Sequence, residues 1–289
     1  MGLNIKNLLT RTISGAVLVA LIVCVVLFAP GSIIGAVVFG IFFSFIMIVC
    51  LKEFMNITTA ENSSINIFLA LLPSLLLLWC PVVDKLWDIK VIEEHRFVDL
   101  LSGLYCLLLV IYFVASFFIK SDVVNFKFIV ISMIYIALPF FLFGHLELSR
   151  DDMSHGTLGM FVIIWGNDTF AYLVGSMIGK HKMFPNISPK KSWEGFIGGL
   201  LGALAVGVLL FYIYEGSSLV NWLIYSVMIS FFATFGDLFE SIIKRKFDVK
   251  DSGTIIPGHG GMLDRFDSFL FAAPAAYIFY IVFWPTMVL

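Results

Sequence analysis

The stretch from Ser241 to Asp267 holds the densest cluster of charge and glycine in the chain. Five cations (Lys244, Arg245, Lys246, Lys250, Arg265) are interspersed with four aspartates (Asp248, Asp251, Asp264, Asp267) around a His259-Gly260-Gly261 turn. Asp264 and Asp267 are three apart, so on a helix both carboxylates face the same way. That spacing suits a hard divalent cation such as Mg²⁺, which takes one or two carboxylates plus substrate phosphates. The cations and the backbone N–H groups around the glycines suit the phosphates themselves.

Three further groups of residues carry polar chemistry. Asp237, Glu240, Ser241 and Lys244 follow 3–4 spacing and share one helical face, so Asp237 could approach Asp264 and Asp267 across the connection that links them. Asn167 and Asp168 stand inside an apolar run, where a carboxylate is costly and marks a functional candidate. Lys180, Lys182, Lys190 and Lys191 surround a Ser188-Pro189 turn that opens a helix, an arrangement suited to phosphate or to anionic lipid headgroups. Structural ion pairs are the plainer alternative for Asp168 and Asp237.

The elements that must position these residues are membrane spans. The chain of 289 residues is 60% hydrophobic and 13% charged, with a mean hydropathy of +1.01. Soluble domains carry about twice that charge. Apolar runs near twenty residues predict nine spans, at roughly 12–29, 32–51, 65–83, 97–119, 127–144, 158–179, 194–214, 219–240 and 266–288. The expected fold is an all-α, polytopic transmembrane helical bundle. With alternate connections assigned to alternate sides, fourteen of the eighteen Lys and Arg residues fall on one side. This predicts a cytoplasmic N-terminus and a cytoplasmic 241–265 loop. A retained first helix, rather than a cleaved signal segment, is expected. Cys24, Cys50, Cys80 and Cys106 show no zinc-type spacing and read as packing residues without disulfides. Residues 1–145 read as scaffold and lipid-facing wall, and 146–289 as a catalytic half with cytoplasmic loops 180–193 and 241–265. Glycines spaced by four (Gly31/Gly35, Gly175/Gly179, Gly195/Gly199, Gly198/Gly202) predict close helix packing, within one chain before across a dimer.

The string Ser241-x2-Lys244-Arg245-x4-Lys250-Asp251-x-Gly253-x3-Pro257-x-His259-Gly260-Gly261-x2-Asp264-Arg265-x-Asp267 resembles the motif of the phosphatidate cytidylyltransferases, without departure from it. Asn167-Asp168-Thr169 and Ser188-Pro189-Lys190-Lys191-Ser192-Trp193-Glu194-Gly195 resemble segments of the same family, in the right order. The resemblance implies transfer of the cytidylyl group of CTP to phosphatidic acid, giving CDP-diacylglycerol and pyrophosphate for phospholipid biosynthesis. It implies metal binding by Asp237, Asp264 and Asp267, with Mg²⁺ as cofactor and room for a second cation such as K⁺. Lys244 and Arg265 join the catalytic set. Asn167, Asp168, Lys190, Lys191, Ser192, Arg245, Lys250, Asp251, His259, Gly260 and Gly261 are expected to bind substrate. Membrane lipids and a second copy in a homodimer are the expected partners, and nucleic acid is not. The expected location is the bacterial inner membrane, with the active site facing the cytoplasm. Two other readings compete. A CTP-dependent polyprenol kinase-like phosphotransferase would need a base to activate a hydroxyl. An ion-coupled transporter would show polarity through the depth of several helices in both halves, whereas polarity here gathers on one side of one half.

Overall fold

The computed structural model describes residues 5–59, 63–88, 96–148, 154–214 and 218–283. Ten α-helices are present among them: α1 (Ile5–Phe28), α2 (Ile33–Thr59), α3 (Ser63–Asp88), α4 (Arg96–Phe118), α5 (Phe126–Ser132), α6 (Leu138–Leu148), α7 (Ser154–Ile178), α8 (Trp193–Ile213), α9 (Leu219–Lys246) and α10 (Leu263–Val282). A π-helical segment, Met133–Ala137, joins α5 to α6. Those two helices therefore form one span, and nine spans long and apolar enough to cross a membrane result among the described residues. This is the polytopic helical bundle the hydropathy predicts.

Several boundaries differ from the hydropathy reading, among them the end of α2, which runs on to Thr59. The α9 helix continues to Lys246 and α10 begins at Leu263, so Lys244, Arg245 and Asp264 stand on helices rather than in a long loop. Hydropathy marks where side chains turn polar, while the backbone stays helical for as long as its hydrogen bonds continue. The 180–193 connection is an antiparallel hairpin of β1 (Lys182–Phe184) and β2 (Ser188–Ser192), with Lys182 opposite Ser192. This hairpin and an isolated bridge between Ile256 and Gly260 are the β-structure among the described residues.

The chain forms two compact units. The first comprises residues 1–154 and 249–265. Its core is an aromatic cluster in which Phe43 lies 4.5 Å from Phe39 and 5.1 Å from Phe143, ring centre to ring centre, and such tilted packing adds to the burial itself. Gly40 lets α2 press against Trp79 and Val82 of α3. Pro73 lies inside α3 and cannot donate to the carbonyl of Leu69. The Tyr112 hydroxyl of α4 donates to that carbonyl at 3.4 Å, as an apolar surround demands. The Tyr105 hydroxyl likewise donates to Met133 O, at the start of the π-helical segment, at 2.9 Å.

The second unit comprises residues 155–248 and 266–289. Tyr225 of α9 stands at its centre, 5.0 Å from Phe279 and 5.6 Å from Tyr280, and its hydroxyl donates to Gly156 O at 3.0 Å. Phe161 of α7 stacks on Phe269 of α10 at 5.6 Å. Gly175, Gly195, Gly198 and Gly202 bring α7 and α8 together: added Cβ atoms on Gly198 and Gly202 would fall 2.5 Å from Val174 and Phe170. These spaced glycines serve packing within the chain.

Candidate active site

In the second unit, four separate stretches of sequence supply the polar groups. Strand β2 presents Lys191, whose Nζ lies 2.7 Å from Asp237 Oδ2 on α9 and 3.4 Å from the carbonyl oxygen of Thr234. Helix α10 presents Asp267, half-buried, which feels the charges of Asp237, Glu240 and Asp168. Gly236 allows this meeting, because a Cβ there would lie 2.4 Å from the backbone oxygen of Asp267. The helices α9 and α10 are thus in backbone contact beside the carboxylates. Helix α7 contributes Asn167, buried, whose Oδ1 accepts from the Ser230 hydroxyl at 2.7 Å and whose Nδ2 donates to Asp168 Oδ1 at 3.2 Å. Asn167 therefore ties α7 to α9 and holds Asp168 in place.

The cations on α9 are partly engaged by the protein itself. Lys244 pairs with the buried Glu240 one turn earlier at 2.5 Å. Arg245 Nε donates to Ile187 O in the hairpin turn at 3.4 Å. Helix α9 then ends with Asp248 in the left-handed region, at φ 56°. Ser192, expected to touch substrate, is buried and caps α8 by accepting from Gly195 N at 3.2 Å. Glu194 closes the hairpin base, accepting from the backbone N–H groups of Lys180 and His181 and lying 2.6 Å from His181 Nδ1. Lys190 is exposed.

In the first unit, the 249–265 segment folds around two carboxylates. Residues 256–259 make a tight turn closed by His259 N–H donating to Ile256 O at 2.9 Å, with Pro257 at its second position and Gly258 at φ 76° in its third. Arg11 Nε of α1 donates to Gly258 O at 2.7 Å, and Arg265 donates to His259 O through Nε and Nη2 at 3.1 and 2.8 Å. The imidazole Nδ1 of His259 lies 2.8 Å from the Ser14 hydroxyl. Partial burial, then the nearby guanidinium groups of Arg265 and Arg11, hold the His259 pKa below its usual range. The ring is neutral near pH 7. Lys250 and Asp251 are exposed.

The Asp264 carboxylate accepts from Ser252 N at 3.0 Å and from Gly261 N at 2.9 Å. Glu53 of α2, buried, accepts from the Ser252 hydroxyl at 3.0 Å, Met262 N at 3.0 Å and Leu263 N at 2.8 Å. Gly261 leaves room for this: a Cβ would fall 2.0 Å from Ser252 Oγ and 2.6 Å from Glu53 Oε2. Gly260 adopts φ 85°. The close approach that these glycines permit is thus to the protein's own side chains.

Sequence reasoning missed Glu53, Ser14, Ser230 and Gly236 as contributors. A carboxylate at the polar end of the second apolar run is the signal in the sequence that marks Glu53. Among the described residues, no three His, Cys, Asp or Glu side chains form a ready-made metal group.

The nine spans among the described residues are those of a multi-pass membrane protein, and in the second unit they carry carboxylates grouped with Lys191. A family model described as "Cytidylyltransferase family" matches residues 9–283, and the chain belongs to that family. A phosphatidate cytidylyltransferase of Staphylococcus haemolyticus is 35% identical over 255 residues, covering 88% of this chain and 94% of its own. Proteins of the same name from Staphylococcus aureus strain COL and Staphylococcus epidermidis are 36% and 33% identical over 259 residues, with the same shares covered.

Proposed function

We propose that this protein transfers the cytidylyl group of CTP to phosphatidic acid, releasing pyrophosphate and forming CDP-diacylglycerol. The observation that carries the reading is the meeting of Lys191, from the Ser-Pro-Lys-Lys segment, with Asp237 of α9, 46 residues later in the chain. Two motif segments that could have served separate purposes share one site, beside a second carboxylate from α10.

The phosphate of phosphatidic acid attacks the α-phosphorus of CTP. A phosphorus–oxygen bond forms there, the bond to the bridging oxygen of the β-phosphate breaks, and the electron pair leaves with pyrophosphate. A phosphate monoester has a second pKa near 6 and is mostly dianionic at pH 7, so no strong base is needed. The neutral, hydrogen-bonded His259 fits that requirement as a donor or spacer. What the reaction needs is alignment and neutralisation of two polyanions. Lys191 supplies positive charge on a short strand, with Lys190 beside it, while Lys244, Arg245, Lys250 and Arg265 are the further phosphate-binding cations. Arg265 and Arg11 shape the His259 turn by holding its carbonyls. Asn167 fixes Asp168 at the edge of the acidic group.

The oxygen-only donor set around Asp267 fits a hard cation such as Mg²⁺, for which one or two carboxylates suffice when phosphates complete the shell. Asp237 and Asp267 are the residues that would hold it; for Asp264, whose carboxylate accepts from the Ser252 and Gly261 N–H groups, a metal role rests on the family resemblance alone. Bound there, the metal would neutralise charge on the attacked and departing phosphates. The excess of Lys and Arg on one side supports a cytoplasmic N-terminus and a cytoplasmic α9–α10 connection, in the inner membrane of a bacterium. A homodimer completes the reading as a family expectation.

The test uses purified protein in detergent with phosphatidic acid, Mg²⁺, and CTP labelled separately at the α- and γ-phosphates. Label from the α-position is expected in the lipid, with pyrophosphate released. Label from the γ-position would mean a lipid kinase and overturn the proposal, and transfer from neither would exclude both enzyme readings.

A further inference from the structure

Resting on that reading, we propose that Glu53 is a positioning residue for the reaction: it fixes the start of α10 and, through Ser252, the carboxylate of Asp264. A helix N-terminus leaves backbone donors without intrahelical partners. At α10 the donors of Met262 and Leu263 are both taken by Glu53, at 3.0 and 2.8 Å, and that of Asp264 by Ser252 Oγ at 3.2 Å. The negative charge lies against the positive end of the helix. Ser252 then works in three directions. Its hydroxyl donates to Glu53, the same oxygen accepts from Asp264 N–H, and its own N–H donates to the Asp264 carboxylate.

The result is a closed circuit, Glu53 to Ser252 to Asp264, with Glu53 touching α10 directly as well. Both Glu53 oxygens are engaged, one with Met262 N–H and the other with Ser252 and Leu263. The residue is buried at 7% exposure. It acts only through its partners. A buried charge is retained where its hydrogen bonds are complete, and here they are spent on the turn that launches the motif helix. The glycines agree: Cβ atoms at Gly253 and Gly261 would fall 2.3 and 2.6 Å from Glu53 oxygens. Those two positions are small because Glu53 occupies the space beside them.

The full-length protein in detergent provides the test, comparing wild type with Glu53→Gln, Ser252→Ala and the double variant. Backbone hydrogen exchange is followed over residues 258–266, and cytidylyl transfer is measured against Mg²⁺ concentration. Loss of one charge-assisted bond should speed local exchange about tenfold. Exchange in the other spans should stay unchanged. The Mg²⁺ concentration for half-maximal rate should rise several-fold in both single variants, and the double variant should be little worse than Glu53→Gln alone. Unchanged exchange at 258–266 with unchanged Mg²⁺ dependence would overturn the proposal. So would faster exchange spread evenly over all spans, the mark of general destabilisation. If Glu53→Gln does not fold, Ser252→Ala carries the same two readouts. Absence of α-label transfer in wild type would sink the enzymatic reading alone, because the exchange comparison still tests the clamp.

Discussion

Lys191 and Asp237 form an ion pair at 2.7 Å, each half-shielded, that joins strand β2 to helix α9. Both residues are suited to other partners, the lysine to a phosphate and the carboxylate to a cation. In the proposed reaction, each would keep the other in place until substrate and cation replace both. The pair is worth little to stability at such exposure.

Removing either member should expose that division. Lys191→Met and Asp237→Asn are each expected to lower the rate of cytidylyl transfer about a hundredfold or more, the scale of losing one preorganised charge at a reacting centre. Thermal unfolding midpoints should move little. A loss of activity matched by a large fall in the midpoint would instead assign the pair a structural role.

Gly236→Ala tests the α9–α10 contact. The new methyl group would meet the backbone oxygen of Asp267 at 2.4 Å, and backbone cannot yield as a side chain can. Overpacking of this kind costs about 1–3 kcal/mol. Activity should fall more than stability, because the displaced group is the segment bearing Asp267. Alanine at Gly103, where a Cβ meets nothing within 4 Å, serves as the control.

Ser192→Ala separates capping from substrate binding. Loss of the bond to Gly195 N–H should lower stability by about 1 kcal/mol. If the hydroxyl only caps α8, KM for CTP will be unchanged. A raised KM would restore Ser192 to the substrate-binding set.

His259 makes a pH prediction. Its pKa lies below the ordinary 6.5 in the folded protein, chiefly through burial. Between the two values the unfolded chain binds more protons, so stability is full above about pH 6.5 and declines as pH falls through that window. Unfolding midpoints measured from pH 8 to pH 5 should fall more steeply for wild type than for His259→Gln. Equal slopes would remove His259 as the cause.

The spans were legible in the sequence because their signal is long and periodic in nothing but hydrophobicity, which a bilayer alone requires. Asp237, Asp264 and Asp267 stand out in the sequence because carboxylates are rare in so apolar a chain. The structure relates Asp267 to Asp237, and sets Asp264 in the first turn of α10, accepting from the N–H groups of Ser252 and Gly261. The hairpin at 182–192 was not, since Lys182, Ser188 and the lysines after Pro189 carry no alternation of apolar and polar residues. The roles of Gly261 and Glu53 were hidden for another reason. Each is defined by the other, some two hundred residues away, and spacing along the chain is silent on such a contact.

The crossing of α9 and α10 at Gly236 has a consequence for the membrane around it. Helices answer a thinner or thicker bilayer by changing tilt. Two helices that touch backbone to backbone rotate about their point of contact, where displacement is smallest. Asp237 and Asp267 flank that point. Their separation should therefore persist across lipids of different chain length, and the enzyme's sensitivity to acyl length should reside in how its lipid substrate is held.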